Sequence, residues 1–217
     1  MTISAAQHRS AASLVVFDFE TTGLSPDMGD RAIEIGAVLI ENGKITARFQ
    51  QLMNPGIRIP VFIENLTGIS NTMVKEANSN AQVMGEFYDF IAGQNLVAHN
   101  ASFDERFLRA EFKRIKKYCP AGIACSLLAA RRILQQAPNH QLATLAAYKQ
   151  LPSEGIYHRA LADAEVTAHL WLSLLAELET QHALYDLSFG FMQQLTKTPK
   201  HQLPKLYAKH QAGIAYV

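Results

Sequence analysis

Asp18 and Glu20 stand two residues apart at the end of the apolar run Leu14-Val15-Val16-Phe17. Residues two apart on a strand face the same way, so both carboxylates emerge on one face. Two acids that end a buried strand are costly unless a cation or hydrogen bonds compensate them, and a metal is the simplest compensation. Two further segments add to this pair. His99-Asn-Ala-Ser-Phe-Asp104 puts Asp104 in the first turn of a predicted helix, and His158-Arg-Ala-Leu-Ala-Asp163 puts Asp163 just over one helical turn beyond His158. Four carboxylates from different elements suit two Mg²⁺ or Mn²⁺ ions, because Mg²⁺ takes oxygen ligands in near-octahedral geometry and keeps some waters. Ions about 3.5–4 Å apart can clamp both the attacking and the leaving oxygen of an in-line displacement at phosphorus. His158 is then the natural general base for a water, since an unperturbed imidazole titrates near pH ~6.5.

Each piece has a plainer explanation. Asp104 could complement a helix dipole, which is common for an acid in a first turn. His158 could be a satisfied loop histidine, and Asp163 a solvated residue on an alanine-rich helix. Asp18 and Glu20 resist such a reading because the run before them is apolar. The joint occurrence of all five, in this chain order, favours the site. Trp171 and the leucines at 170, 172, 174 and 175 read as helix core. Lys113, Arg114, Lys116 and Lys117 read as a solvated face. Glu34 lies on a strand and could support the ligands from behind, but is left outside the assigned set.

The elements that must hold these residues follow from periodicity. Strands are expected at 14–20, 32–41 and 45–53, with Asn42-Gly43 as a hairpin turn and Asn54-Pro55-Gly56 ending the meander. Val83, Phe87, Phe90 and Ile91 recur at helical spacing over 79–91. A short strand at 96–98 leads into a helix at 102–117, where Ser102 and Glu105 form a capping box. Gly122–Cys125 is a last short strand. The chain from Leu127 to about Glu179 is helical, broken at Pro138 and around Pro152-Ser-Glu-Gly155. The fold class is therefore α/β, an antiparallel meander followed by alternating helices and strands on one mixed sheet.

Composition bounds the possibilities. The chain has 217 residues, 48% of them hydrophobic, enough for one α/β domain with an extension. A net charge of +1 excludes a broad basic field, so a nucleic acid would be gripped at few phosphates. Cys119 and Cys125 make no metal-ligand or CxxC pattern, as expected in a reducing compartment. The first ten residues lack a charged segment leading into an apolar one, and no run reaches membrane-spanning length. A soluble, cytoplasmic protein without a membrane partner is expected.

Phe17-Asp-Phe-Glu-Thr-Thr-Gly-Leu24, Ala98-His-Asn-Ala-Ser-Phe-Asp104 and His158-Arg-Ala-Leu-Ala-Asp163-Ala resemble the three motifs of the DEDD exonuclease superfamily. The histidine five residues before the last aspartate resembles that of the DEDDh subgroup. The style is similar to the epsilon proofreading subunit of DNA polymerase III and its stand-alone bacterial relatives. The resemblance runs from about residue 13 to about 178 and takes in Leu66-Thr-Gly-Ile-Ser70 and Cys125-Ser126. It implies a ribonuclease H-like fold, with an exonuclease domain at 13–180 between a flexible terminus at 1–12 and a helical extension with a basic tail at 181–217. It also implies that Asp18, Glu20, Asp104 and Asp163 bind two Mg²⁺ or Mn²⁺ ions and that His158 deprotonates the attacking water. Thr21 and Thr22 would hold the terminal nucleotide, Leu24 would wedge against its base, and Asn100 and Phe103 would line the same pocket. Thr67 stands where polymerase-associated relatives can carry a histidine.

The activity so implied is 3′–5′ hydrolysis of single-stranded or frayed DNA, with RNA trimming in the manner of oligoribonuclease or RNase T as the alternative. A haloacid dehalogenase-like phosphatase would share an acid pair followed by Thr21 but gives the His158–Asp163 motif no role. A non-catalytic, polymerase-associated subunit is the remaining class. In the tail, Leu184, Leu187, Phe191 and Leu195 recur at near-helical spacing. A helix packing back on the domain is the reading this favours. Gln202-Leu-Pro-Lys-Leu-Tyr207 faintly resembles peptides that dock on a sliding clamp, which would imply a polymerase or clamp partner. A packing tail is the simpler reading, and Lys200, Lys205 and Lys209 could instead touch a nucleic-acid backbone.

Overall fold

In the computed structural model, which describes residues 9–119, 122–152 and 159–213, the strand at the centre of the sheet sorts the core. That strand is β1 (Leu14–Thr21), flanked by β2 (Ala32–Glu41) and β3 (Lys44–Leu52) on one side and by β4 (Leu96–Ala98) and β5 (Ile123–Cys125) on the other. The order is β3-β2-β1-β4-β5, antiparallel across β1–β2–β3 and parallel across β1–β4–β5. The mixed α/β sheet expected from the meander is present. Asn42 and Gly43, at φ 50° and 77°, make the two-residue turn between β2 and β3, the positive-φ geometry that matches the twist of a hairpin.

Nine helices complete the described residues: α1 (Val61–Thr67), α2 (Asn71–Lys75), α3 (Asn80–Ile91), α4 (Ser102–Arg114), α5 (Ser126–Ile133), α6 (Leu142–Tyr148), α7 (Ala160–His182), α8 (Phe189–Lys197) and α9 (Leu203–Gln211). Alternation along β1 sends Leu14 and Val16 to one face and Val15, Phe17 and Phe19 to the other. On the first face they meet Trp171 and Leu174 of α7 with Phe191 and Leu195 of α8. On the second they meet Phe87 of α3 and Phe107 and Phe112 of α4. Asp18 and Glu20 continue the face of Leu14 and Val16, towards α7.

Three expectations need correction. Ser102 and Glu105 form no capping box: Asn100 at φ 64° and Ala101, already helical, start the turn early. The amides of Phe103 and Glu105 are thereby taken by the carbonyls of Asn100 and Ala101, and the Glu105 carboxylate pairs with Arg109 instead. The helix also stops at Arg114 rather than 117, with Lys116 in the left-handed region. Residues 9–12, assigned to a flexible terminus, are tied down. Ser10 bridges Ser188, the Ala11 amide donates to the Leu187 carbonyl, and Trp171 Nε1 donates to the Ala11 carbonyl at 2.8 Å. Leu203 and Leu206 of the clamp-like hexapeptide are buried in the core beside α8 and belong to a helix, in line with a packing tail. The segment is therefore not displayed as an extended peptide. No helix among the described residues is long and apolar enough to cross a membrane.

Candidate active site

The site lies where β1 runs out of the core. Opposite Asp18 in the β1–β2 ladder is Gly36, and the first turn of α7 rests directly on that glycine. A Cβ at Gly36 would lie 2.0 Å from the Leu161 nitrogen and 2.1 Å from the Ala160 carbonyl carbon. Only glycine lets the helix descend this far, and the descent brings Asp163, in that first turn, to the two acids of β1. Carboxylate oxygens of Asp18, Glu20 and Asp163 lie within 4.8 Å of one another, on half-buried side chains. Between Glu20 and Thr21 the ladder slips by one residue, an irregularity of the kind that re-aims side chains beside active sites.

Asp104 comes from the other face of the sheet. It is buried in the first turn of α4, and its Oδ1 accepts the backbone N–H of Phe19 at 3.2 Å, between the two acids of β1. Burial and mutual repulsion disfavour so much negative charge. Burial, then Asp104, Glu20 and Asp163, holds the Asp18 carboxyl well above the usual carboxylate range. Glu20 is pushed up to about 8 by burial and then by Asp163, Glu34 and Asp104, with Arg159 opposing. Asp104 is pushed up to about 7 by burial, against the amide hydrogen bond from Phe19. A cluster of hard oxygen donors that repel one another fits a divalent cation, which would let all of them ionise. His158 lies outside the described residues.

The β1–β2 loop is braced from within. Thr22, buried, donates its hydroxyl to Asp30 Oδ1 (3.3 Å) and accepts the Arg31 amide (3.0 Å). Asp30 Oδ2 accepts the Ser25 amide (2.9 Å), and the Thr21 hydroxyl donates to the Gly23 carbonyl (2.6 Å). Arg31 forks onto Glu111 of α4 at 2.8 and 3.1 Å. Leu24 stands 77% exposed on this fixed loop. Asn100 is exposed, while Phe103 is half-buried with its ring 5.1 Å from that of Phe107. Thr67 is buried at the end of α1, its hydroxyl donating to the Ile63 carbonyl and accepting from the Ile69 amide.

Two further residues were not assigned from the sequence. Glu34, fully buried on β2 opposite Glu20, binds Arg159. The signal available was a lone acid inside the apolar run Ala32–Ile40. His99 is a strut: its ring nitrogens meet the Ser126 hydroxyl (2.9 Å) and the His140 carbonyl (3.1 Å).

A mixed sheet with acids from β1, α4 and α7 converging at its end has the architecture of an exonuclease-type fold. The exonuclease family model, RNase_T, matches residues 15–171, and the chain belongs to that family. Over 165 residues the chain is 41% identical to a PolC-type DNA polymerase III from Caldanaerobacter subterraneus subsp. tengcongensis, covering 76% of this chain and 12% of that protein. It is 37% identical over 193 residues to the 3′-5′ exonuclease DinG of Bacillus subtilis, covering 88% of this chain and 20% of the relative. The chain thus spans a small part of these relatives' length. Among solved structures, exonuclease X in complex with 5′ overhanging duplex DNA superposes with a TM-score of 0.65 at 26% identity, over 84% of this chain and 99% of that one. The nuclease domain of 3′hExo, a DEDDh family member bound to rAMP, shares the fold at 21% identity and a TM-score of 0.65, over 76% and 92%.

Proposed function

We propose that the chain is a divalent-metal-dependent 3′–5′ exonuclease that hydrolyses the terminal phosphodiester of single-stranded or frayed DNA and releases nucleoside 5′-monophosphates. The observation that carries this reading is the convergence of Asp18, Glu20 and Asp163 within 4.8 Å at the end of β1, inside the span that matches the exonuclease family. Asp18, Glu20, Asp163 and, from the other face, Asp104 would hold two Mg²⁺ or Mn²⁺ ions. Such ions, when bound, lower the pKa of a water and stabilise charge on phosphoryl oxygens. His158 accepts the proton of the attacking water. The new P–O bond forms as the bond to the 3′ oxygen of the preceding nucleotide breaks, leaving a shorter chain with a 3′-hydroxyl. Thr21 and Thr22, on a loop fixed by Asp30 and Arg31, offer a rigid edge to the terminal nucleotide, and Leu24 meets its base. Asn100 and Phe103 line the approach. Thr67, its hydroxyl committed to the end of α1, serves the fold there.

DNA is favoured over RNA because the PolC-type relative is named a DNA polymerase and exonuclease X is solved in complex with duplex DNA. A near-neutral chain has few phosphate contacts to offer, which favours an unpaired end over a long duplex footprint. The buried leucines of α9 give a clamp-docking tail no support. The test is side-by-side digestion of matched single-stranded DNA, paired duplex, 3′-mismatched duplex and RNA, with and without chelator. Release of 5′-mononucleotides from unpaired DNA ends, lost on chelation, is expected. Activity that survives exhaustive chelation, or release of inorganic phosphate alone, overturns the reading.

A further inference from the structure

We propose that Glu34 and Arg159 are a positioning pair that sets the first turn of α7, and with it Asp163, against the carboxylates of β1. The inference rests on the exonuclease reading for its catalytic consequence, though not for its geometry.

Glu34 is fully buried, and three of the four hydrogen bonds to its carboxylate come from the start of α7. Oε1 accepts Arg159 Nη2 at 2.8 Å and Gln50 Nε2 at 2.9 Å. Oε2 accepts Arg159 Nε at 3.2 Å and the backbone N–H of Ala160 at 3.1 Å. Arg159 is the residue at which α7 begins, and its own side chain makes no capping hydrogen bond to that end. An acid 125 residues away in sequence therefore caps a 23-residue helix, where negative charge also complements the helix dipole. The Arg159 carbonyl in turn accepts the amide of Asp163 at 3.0 Å. The path from strand to ligand is thus Glu34, Arg159, Asp163.

The anchor is also placed where an error would matter. Glu34 pairs with Glu20 across the β1–β2 ladder, and two residues further along β2 Gly36 gives the helix its seat. The glycine sets how close α7 comes, and the Glu34–Arg159 fork sets its rotation and slide. A bidentate carboxylate–guanidinium contact suits this role because it fixes direction as well as distance.

The experiment compares the full chain with Arg159→Met, Arg159→Lys and Glu34→Gln. It reads kcat and KM on a single-stranded 3′-ended oligodeoxynucleotide, Mn²⁺ affinity by paramagnetic titration, and the Tm of the metal-free protein. Arg159→Met and Glu34→Gln are expected to lower kcat and weaken Mn²⁺ binding by about 10–100-fold, the usual loss when an outer partner of a metal site is removed. KM is expected to change little, and Arg159→Lys to recover part of the loss. Wild-type kcat and Mn²⁺ affinity in both Arg159→Met and Glu34→Gln overturn the proposal, as does a loss that tracks Tm alone and is no smaller in Arg159→Lys. If the wild-type chain hydrolyses no 3′ end, the exonuclease reading fails by itself, and the Mn²⁺ titration still decides whether the pair positions Asp163.

Discussion

The backbone amide of Phe19 donates to Asp104 Oδ1 at 3.2 Å, joining the first turn of α4 to β1 between its two acids. One oxygen of the buried carboxylate is spent on this bond. Replacing the acid by its amide keeps an acceptor for Phe19 and removes one charge from a repelling cluster. Asp104→Asn is therefore expected to abolish turnover while raising the Tm of the metal-free protein. A fall in Tm would show that the carboxylate serves the fold rather than a cation.

His158→Ala is expected to lower kcat by about 10²–10⁴-fold, the usual share of general acid–base catalysis. Cation binding persists because the carboxylates remain. The acid limb of the rate profile, where the imidazole protonates, disappears with it. A variant with near-normal rate and an unchanged acid limb would place the base elsewhere.

Gly36→Ala tests the seat of α7. The added carbon would sit 2.0 Å from the Leu161 nitrogen, and backbone cannot rotate away as a side chain can. A loss of about 1–3 kcal/mol is expected from the overpacking, with hydrolysis falling further because Asp163 is displaced. Unchanged melting and rate would mean that the helix approaches less closely.

His99 gives a pH signature away from the carboxylates. A carbonyl only accepts, so Nε2 carries the proton towards His140, and Nδ1 accepts from the Ser126 hydroxyl. Burial pushes the imidazole down to about 4, while in the unfolded chain it titrates near ~6.5. Between those values the unfolded state binds more protons, so this contribution to stability is lost as pH falls. Wild type is expected to melt above His99→Gln near neutral pH, with the gap closing as pH drops through this window. The comparison cancels the opposing effect of the raised acids. A gap independent of pH would mean that the imidazole is not held neutral.

Truncation after Lys197 removes Leu203 and Leu206, both buried, and the Thr198 carbonyl that accepts Arg132 Nε at 2.7 Å. Sequence periodicity suggested a helix packing back on the domain as far as Leu195, and the packing carries the core on to Leu206. A fall in Tm on the order of 5 °C or more is expected, from about 1.5–3 kcal/mol per buried leucine and ~2–4 °C per kcal/mol. An unshifted Tm would return the segment to the role of an appendage.

The sequence by itself determined what is local. Period-two and helical spacing placed the meander, the short strands and the long helices, because burial imposes those periods on neighbouring residues. Placing Asp18 and Glu20 on one face needed only that rule, and the family motifs supplied Asp104, Asp163 and His158. What the tertiary structure decided is everything that depends on residues far apart in the chain. Ser102 is a sound cap by composition, yet the left-handed Asn100 starts the helix before it. The hexapeptide at 202–207 could pack or dock as far as its sequence goes, and only the neighbouring α8 shows its leucines to be covered. Glu34 could be named from the sequence only as a strand acid near the site, and its task shows once α7 folds back over Gly36 and needs an acid at its first amide. A spacing rule ends at the end of an element. The contacts that join Phe19 to Asp104 and Glu34 to Arg159 form only when two elements pack, so their geometry was decided by the fold.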